Sequence, residues 1–153
     1  VRDNLLWGNK NATDDEMRAA LKDAQVLDTI NEKGGLDAEI KQNGANFSGG
    51  QKQRLSVARA LVRKPEILIL DDSSSALDFA TEAAMRKAIL NLSYKPTVFI
   101  VSQRASSVMF ADQIIVLDDG ECVGCGTHAD LLNNCEVYRE IYESQFQKEA
   151  AAK

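Results

Sequence analysis

Two kinds of apolar spacing divide the chain. Up to about residue 64, apolar positions recur every three to four residues, the period of an amphipathic helix. DDEMRAALKDA (14–24) predicts a first helix with Thr13 as its N-cap, and residues 26–32 add a turn or two before Gly34-Gly35 breaks the pattern. A polar loop over 34–46 leads into a helix over 48–64. That helix carries Leu55, Ala58, Leu61 and Val62 on one stripe and Lys52, Ser56, Arg59 and Arg63 on another. Beyond residue 65 the spacing changes. ILIL (67–70) and TVFIV (97–101) are short continuous apolar runs, the pattern of strands buried on both faces of a parallel sheet. A helix over 79–93, capped by Asp78, is long enough to be the crossover between them. QIIVL, Asp118-Asp119-Gly120 and ECVGC read as a hairpin with a D-G turn, and 127–133 and 136–149 as two closing helices. The terminal EAAAK either continues the last helix or is an appended tail. No internal repeat, low-complexity segment or sustained heptad is visible.

Composition changes the picture only by exclusion. With 153 residues, 44% hydrophobic and 27% charged, the chain suits one soluble globular domain or part of one. No apolar run approaches the ~18 residues needed to span a bilayer. The first residues, VRDNLLWGNK, have no signal-peptide anatomy, so a cytosolic setting is expected. A net charge of -5 argues against a general nucleic-acid binder, and any phosphate site must be local. Three cysteines do not make a disulfide framework. Cys122 and Cys125 lie three apart in an expected strand and so should face opposite ways; with Cys135 they are read as small apolar residues. The N-x-S/T tripeptides at 11–13, 46–48 and 91–93 are chance matches in such a chain.

Candidate chemistry lies at three places. Ser48-Gly49-Gly50 opens the helix over 48–64 with the residue that weakens helices most after proline. Residues 48–64 contain five basic residues, Lys52, Arg54, Arg59, Arg63 and Lys64, and no acidic one. The positive end of that helix is therefore left uncompensated, and two glycines without Cβ atoms would let an anion reach its amides. A serine cap with incidental glycines is the plainer reading, weakened by what lies downstream. The two apolar strands deliver Asp71-Asp72-Ser73-Ser74-Ser75 and Ser102-Gln103-Arg104 at their carboxyl ends, the edge at which open α/β sheets bind ligands.

Taken together, SGGQ (48–51), ILILDD (67–72), SALD (75–78) and VSQR (101–104) resemble the signature motif, Walker B, D-loop and switch region of ATP-binding cassette (ABC) ATPases. VRDNLLWG resembles the segment after the Q-loop in exporter-type cassettes, and ADQIIVLDDG with GTHADLL their closing region. The resemblance covers essentially the whole chain. It implies an α/β, RecA-like P-loop NTPase sheet, here partial, with a helical signature subdomain over 1–64. Residues 65–153 would be the C-terminal part of the ATPase core, ending in a β-hairpin and helices. No G-x-x-x-x-G-K-[ST] occurs, so Walker A, its lysine and the Q-loop are expected upstream, with the central strands of the sheet.

The resemblance also implies roles. Ser48, Gly49, Gly50 and Gln51 would meet the γ-phosphate of ATP held by a second nucleotide-binding domain in a head-to-tail dimer. Asp71 would hold Mg²⁺ through water, and Ser75 to Asp78 would line the dimer contact. A transmembrane domain is the other implied partner, which sets the chain at the cytoplasmic face of a membrane; no nucleic-acid partner is expected. His128 does not match the switch position and is read as structural. Phe47 stands where leucine is common, a mild swap. Asp72 stands in place of the catalytic glutamate and Gln103 in place of the switch histidine. The first shortens the acid by about 1.5 Å and the second removes a group that can take a proton. The leading expectation is an asymmetric exporter in which this chain's own site is degenerate while its SGGQ completes the partner's. A homodimeric exporter hydrolysing through Asp72 is the alternative. A chromosome-maintenance ATPase is a third, disfavoured by the acidic charge and the absence of heptads.

Overall fold

The computed structural model describes residues 1–151, which fall into two compact units, 1–101 and 102–151. The first contains α1 (Arg2–Leu6), α2 (Asp14–Asp23), α3 (Leu27–Glu32), α4 (Gly49–Leu61), β1 (Ile67–Asp71), α5 (Phe79–Leu90) and β2 (Thr97–Val101). The second contains α6 (Ala105–Val108), β3 (Ile114–Asp118), β4 (Glu121–Gly126), α7 (His128–Asn134) and α8 (Glu136–Ala151). Of the terminal EAAAK, residues 149–151 continue α8 and the last two lie outside the described residues.

Local rules set the ends of these elements. Thr13 caps α2 through a reciprocal box with Glu16. Glu16 also takes a hydrogen bond from Lys64 Nζ at 2.7 Å, which, with the Thr13 amide, holds its carboxyl down to about 2. Lys64 is left-handed (φ 50°) ahead of Pro65, so α4 stops at Leu61, three residues before the expected end. Between α3 and α4 the expected loop holds two short 3₁₀ turns, at Gly35–Asp37 and Gln42–Gly44.

The core of the first unit joins Leu5 of α1, Met17, Ala20 and Leu21 of α2 and Ile30 of α3 to Leu55, Ala58 and Leu61 of α4. Met85 and Ile89 of α5 close it, with Leu68 and Leu70 of β1. Strands β1 and β2 pair in parallel, Ile67 opposite Thr97 through Asp71 opposite Val101, with α5 as the crossover. The expectation of strands covered on both faces does not hold within this chain. Leu68, Leu70, Val98 and Ile100 pack on the core, but Ile67, Ile69, Phe99 and Val101 share the opposite face and are each more than half exposed (60, 66, 54 and 56%). Side chains alternate along a strand, and no element of the first unit packs on that second face.

In the second unit β3 and β4 form an antiparallel hairpin whose turn residues, Asp119 (φ 46°) and Gly120 (φ 82°), are both left-handed, as a type I′ turn requires. Its core is Ile114, Val116, Leu131, Cys135 and Tyr138. A bulge at Val116/Leu117 corrects the cysteine reading. Because one extra residue enters β4, Cys122 pairs with Leu117 and Cys125 with Ile115, so the two share a face, and both are exposed. Only Cys135 is a buried apolar residue.

Candidate functional site

The N-terminus of α4 is built as its sequence predicts and is capped at the same time. Ser48 Oγ accepts from the Gln51 amide at 3.3 Å, and Gln51 Oε1 accepts from the Ser48 amide at 3.0 Å. The first turn holds no acidic residue, so its dipole stays uncompensated. An accepting hydroxyl keeps its own proton to donate, so the cap leaves Ser48 able to meet an anion.

The paired glycines turn out to be different from one another. A Cβ on Gly50 would lie 2.8 Å from the Ala76 carbonyl oxygen and 3.2 Å from Leu77 Cδ2, whereas one on Gly49 would meet only Ala76 Cβ, at 3.6 Å. The group that comes close to the backbone at Gly50 is therefore the chain's own 72–78 segment. Alanine at either position gains up to about 1 kcal/mol of helix propensity. At Gly50 that gain is outweighed by overpacking against a backbone oxygen, which costs about 1–3 kcal/mol. Thermal denaturation should therefore show Gly50→Ala below the wild type and Gly49→Ala level with it or above.

Asp71 ends β1, and Asp72 begins the turn out of it; both are exposed. Asp72 is left-handed (φ 44°), a conformation that aspartate tolerates better than most residues. Its amide donates to the Val101 carbonyl at 3.0 Å, and its own carbonyl accepts from Ser75 Oγ at 3.1 Å and from Gln53 Nε2 at 3.2 Å. The backbone is thus tied on both sides while the residue stays exposed. Asp78 caps α5, accepting from the Thr81 amide at 2.9 Å and the Thr81 hydroxyl at 2.7 Å. The Thr81 hydroxyl first, then its amide, holds the Asp78 carboxyl below the usual range.

In the second unit Gln103 is exposed, and its backbone is held from α8: Gln145 Nε2 donates to the Gln103 carbonyl at 2.8 Å while Gln145 Oε1 accepts from the Ala105 amide at 2.9 Å. His128 sits 2.8 Å from the Tyr138 hydroxyl through Nδ1 and packs on the rings of Tyr138 and Tyr142, the structural role expected of it.

Within the first unit the fold brings the glycine-led helix end and the turn after Asp71-Asp72 into direct contact. Two glutamines that motif reading passed over do the tying, Gln53 in that unit and Gln145 in the other. Gln145 carries no local sequence signal, since its partners are about 40 residues away. Gln53 had a faint one, a second glutamine two positions after Gln51.

An ABC transporter family model matches residues 1–75 of the chain. An uncharacterized ABC transporter ATP-binding protein of Bacillus subtilis (strain 168), YfiB, is 49% identical over 152 residues, covering 99% of this chain and 26% of that protein. A probable multidrug resistance ABC transporter ATP-binding/permease protein of the same strain, YheI, is 46% identical over 146 residues, 95% of this chain and 25% of that one. Among solved structures, a bacterial Atm1-family ABC exporter with ATP bound matches with a TM-score of 0.88 at 36% identity, over 93% of this chain and 25% of that chain. The chain spans about a quarter of the length of these relatives.

Proposed function

The chain belongs to the ABC transporter family, and from that premise we propose that it is the C-terminal part of an exporter's nucleotide-binding domain. The parent protein would couple ATP binding and hydrolysis to transport, as the names of YheI and the Atm1-family exporter suggest. In this reading residues 1–64 form the signature subdomain and 65–153 the end of the ATPase core. Ser48, Gly49, Gly50 and Gln51 meet the γ-phosphate held by a second domain, with Ser75 and Asp78 at the contact between the two. The observation that carries the reading is the seating of the 72–78 turn on an acid-free helix N-terminus. One rigid piece thereby presents both an anion-facing end and a carboxylate.

ATP and Mg²⁺ fit the residues present. Mg²⁺ takes hard oxygen ligands and is commonly held by one or two carboxylates together with phosphate and water. Asp71, exposed at the end of β1, offers such a carboxylate, and Mg²⁺ there would neutralise phosphate charge. Asp72 would orient the attacking water and Gln103 would hydrogen-bond the phosphate. With no phosphate-cradling loop in its 153 residues, the chain alone should bind MgATP weakly and not hydrolyse it, and the open face of β1 and β2 should promote self-association. Calorimetric titration of residues 1–153 beside the full-length protein tests this. Mg²⁺-dependent turnover only in the full-length protein is expected. Sub-micromolar ATP affinity of the isolated chain, or a full-length protein without ATPase activity, would overturn it.

No helix among the described residues is long and apolar enough to cross a membrane. The membrane-spanning partner is assigned to other residues of the parent, and the location to the cytoplasmic face. Asymmetric pairing, with this chain's own site weakened at Asp72 and Gln103, is the form of the proposal that the two departures favour.

A further inference from the structure

Gln53 lies on α4 beyond the glycine-led turn, and its half-buried carboxamide leaves the helix for the turn after β1. Nε2 donates to Ser75 Oγ at 2.8 Å and to the Asp72 carbonyl at 3.2 Å, and Oε1 accepts from the Ala76 amide at 3.0 Å. The chemistry of the partners fixes the orientation of the carboxamide. A peptide carbonyl can only accept and a peptide N–H can only donate, so a flipped amide would set like groups against each other at both ends. A second point of attachment lies one turn away, where the Ala76 carbonyl rests on Gly50. Between these two points the segment 72–76 cannot move without α4. The left-handed conformation of Asp72 is held by the same bonds: its carbonyl is tied to α4 through Gln53 and its amide to β2 through Val101.

We propose that Gln53 is a positioning residue for ATP hydrolysis, locking the Asp72–Ala76 turn to the Ser48–Gln51 end of α4 as one rigid unit. The inference rests on the function proposed above, in which both ends of that unit serve hydrolysis. Ser48–Gln51 act in the site shared with the partner domain and Asp72 in this chain's own. The Gln53 carboxamide is engaged by the chain's own 72–76 segment, so its loss should move these groups relative to ATP rather than remove a contact to the nucleotide. A displacement of about 1 Å at reacting groups is enough for a rate loss on the order of 10²-fold.

The test uses the full-length transporter and steady-state ATP hydrolysis. Gln53→Met keeps the length of the side chain and removes all three hydrogen bonds. It should lower kcat about tenfold or more while KM for ATP stays within about twofold, since only the geometry at the reacting groups changes. In a Ser75→Ala background the same substitution should cost less, because one of its partners is already gone. If Gln53→Met does not fold, Gln53→Glu is read in the same way, since it keeps the Ala76 bond and loses both donations. Wild-type kcat in the variant that folds overturns the inference. So does a parallel fall of kcat, ATP affinity and thermal stability, the mark of a merely structural role. Equal losses with and without Ser75 also overturn it. Gly49→Asp in the same assay separates the two levels of the reading. Normal turnover there rejects the proposed site itself; lost turnover there with a normal Gln53→Met rejects only the role of Gln53.

Discussion

Gly49→Asp in the full-length protein is expected to cut ATP turnover by about 10²-fold or more, the scale seen when a preorganised donor set is withdrawn from developing charge, while leaving the fold as stable or more so. The two effects have opposite signs because the two readings of the glycine-led helix make opposite demands. As a helix start, α4 lacks any acid in its first turn. An aspartate at its first position would interact with the dipole for roughly 0.3–1 kcal/mol, and the position has room, a Cβ meeting only Ala76 Cβ at 3.6 Å. As an anion site, the same carboxylate places a negative charge where the γ-phosphate should sit. Ser48→Arg blocks the amides with bulk and should also abolish most turnover, but it removes a capping box, which costs on the order of 1 kcal/mol. Reading turnover beside thermal denaturation for both variants separates chemistry from folding. Wild-type turnover in both would reduce SGGQ to a helix cap.

Much of this fold was legible because its ends are set locally. Thr13, Ser48 and Asp78 each cap the helix their spacing indicated, and the D-G turn closes the hairpin where it should. The short helices α1 and α6 were missed, since four or five residues carry too little periodicity to read. Two features depended on neighbours that local pattern cannot see. ILIL and TVFIV are apolar at every position, yet only alternate residues are covered within this chain. Cys122 and Cys125 share a face because the bulge at Val116/Leu117 resets a period of two. At the candidate site, the motif residues can be named from sequence, but what holds them cannot. Gly50 is required by Ala76, 26 positions on, and Gln53 reaches partners 19 to 23 residues away.

Restoring hydrolysis at this chain's own site should take two substitutions together. With the partner's catalytic acid disabled in the full-length complex, residual turnover reports on this chain's own nucleotide site, and under the asymmetric reading it should be small. Asp72 is shorter than glutamate by about 1.5 Å, and its backbone cannot move to compensate, being tied to Val101, Ser75 and Gln53. The Gln103 backbone is likewise held, by Gln145. Lengthening the acid repairs its reach but adds strain at a left-handed position (φ 44°) that favours aspartate, so Asp72→Glu alone should recover little. Gln103→His alone supplies a group that can carry a proton but leaves the water badly held. Since both act on one step, the gain in the double variant should be far larger than the product of the two single gains, on the order of tenfold above the better single variant. Steady-state phosphate release from the four proteins decides the matter. Substantial turnover with the native Asp72 and Gln103, unimproved by the double change, would favour a homodimer that hydrolyses through Asp72. A low background that the double change does not raise would move the defect to the partner's signature motif, because the two substitutions supply what this chain's own side of the site lacks.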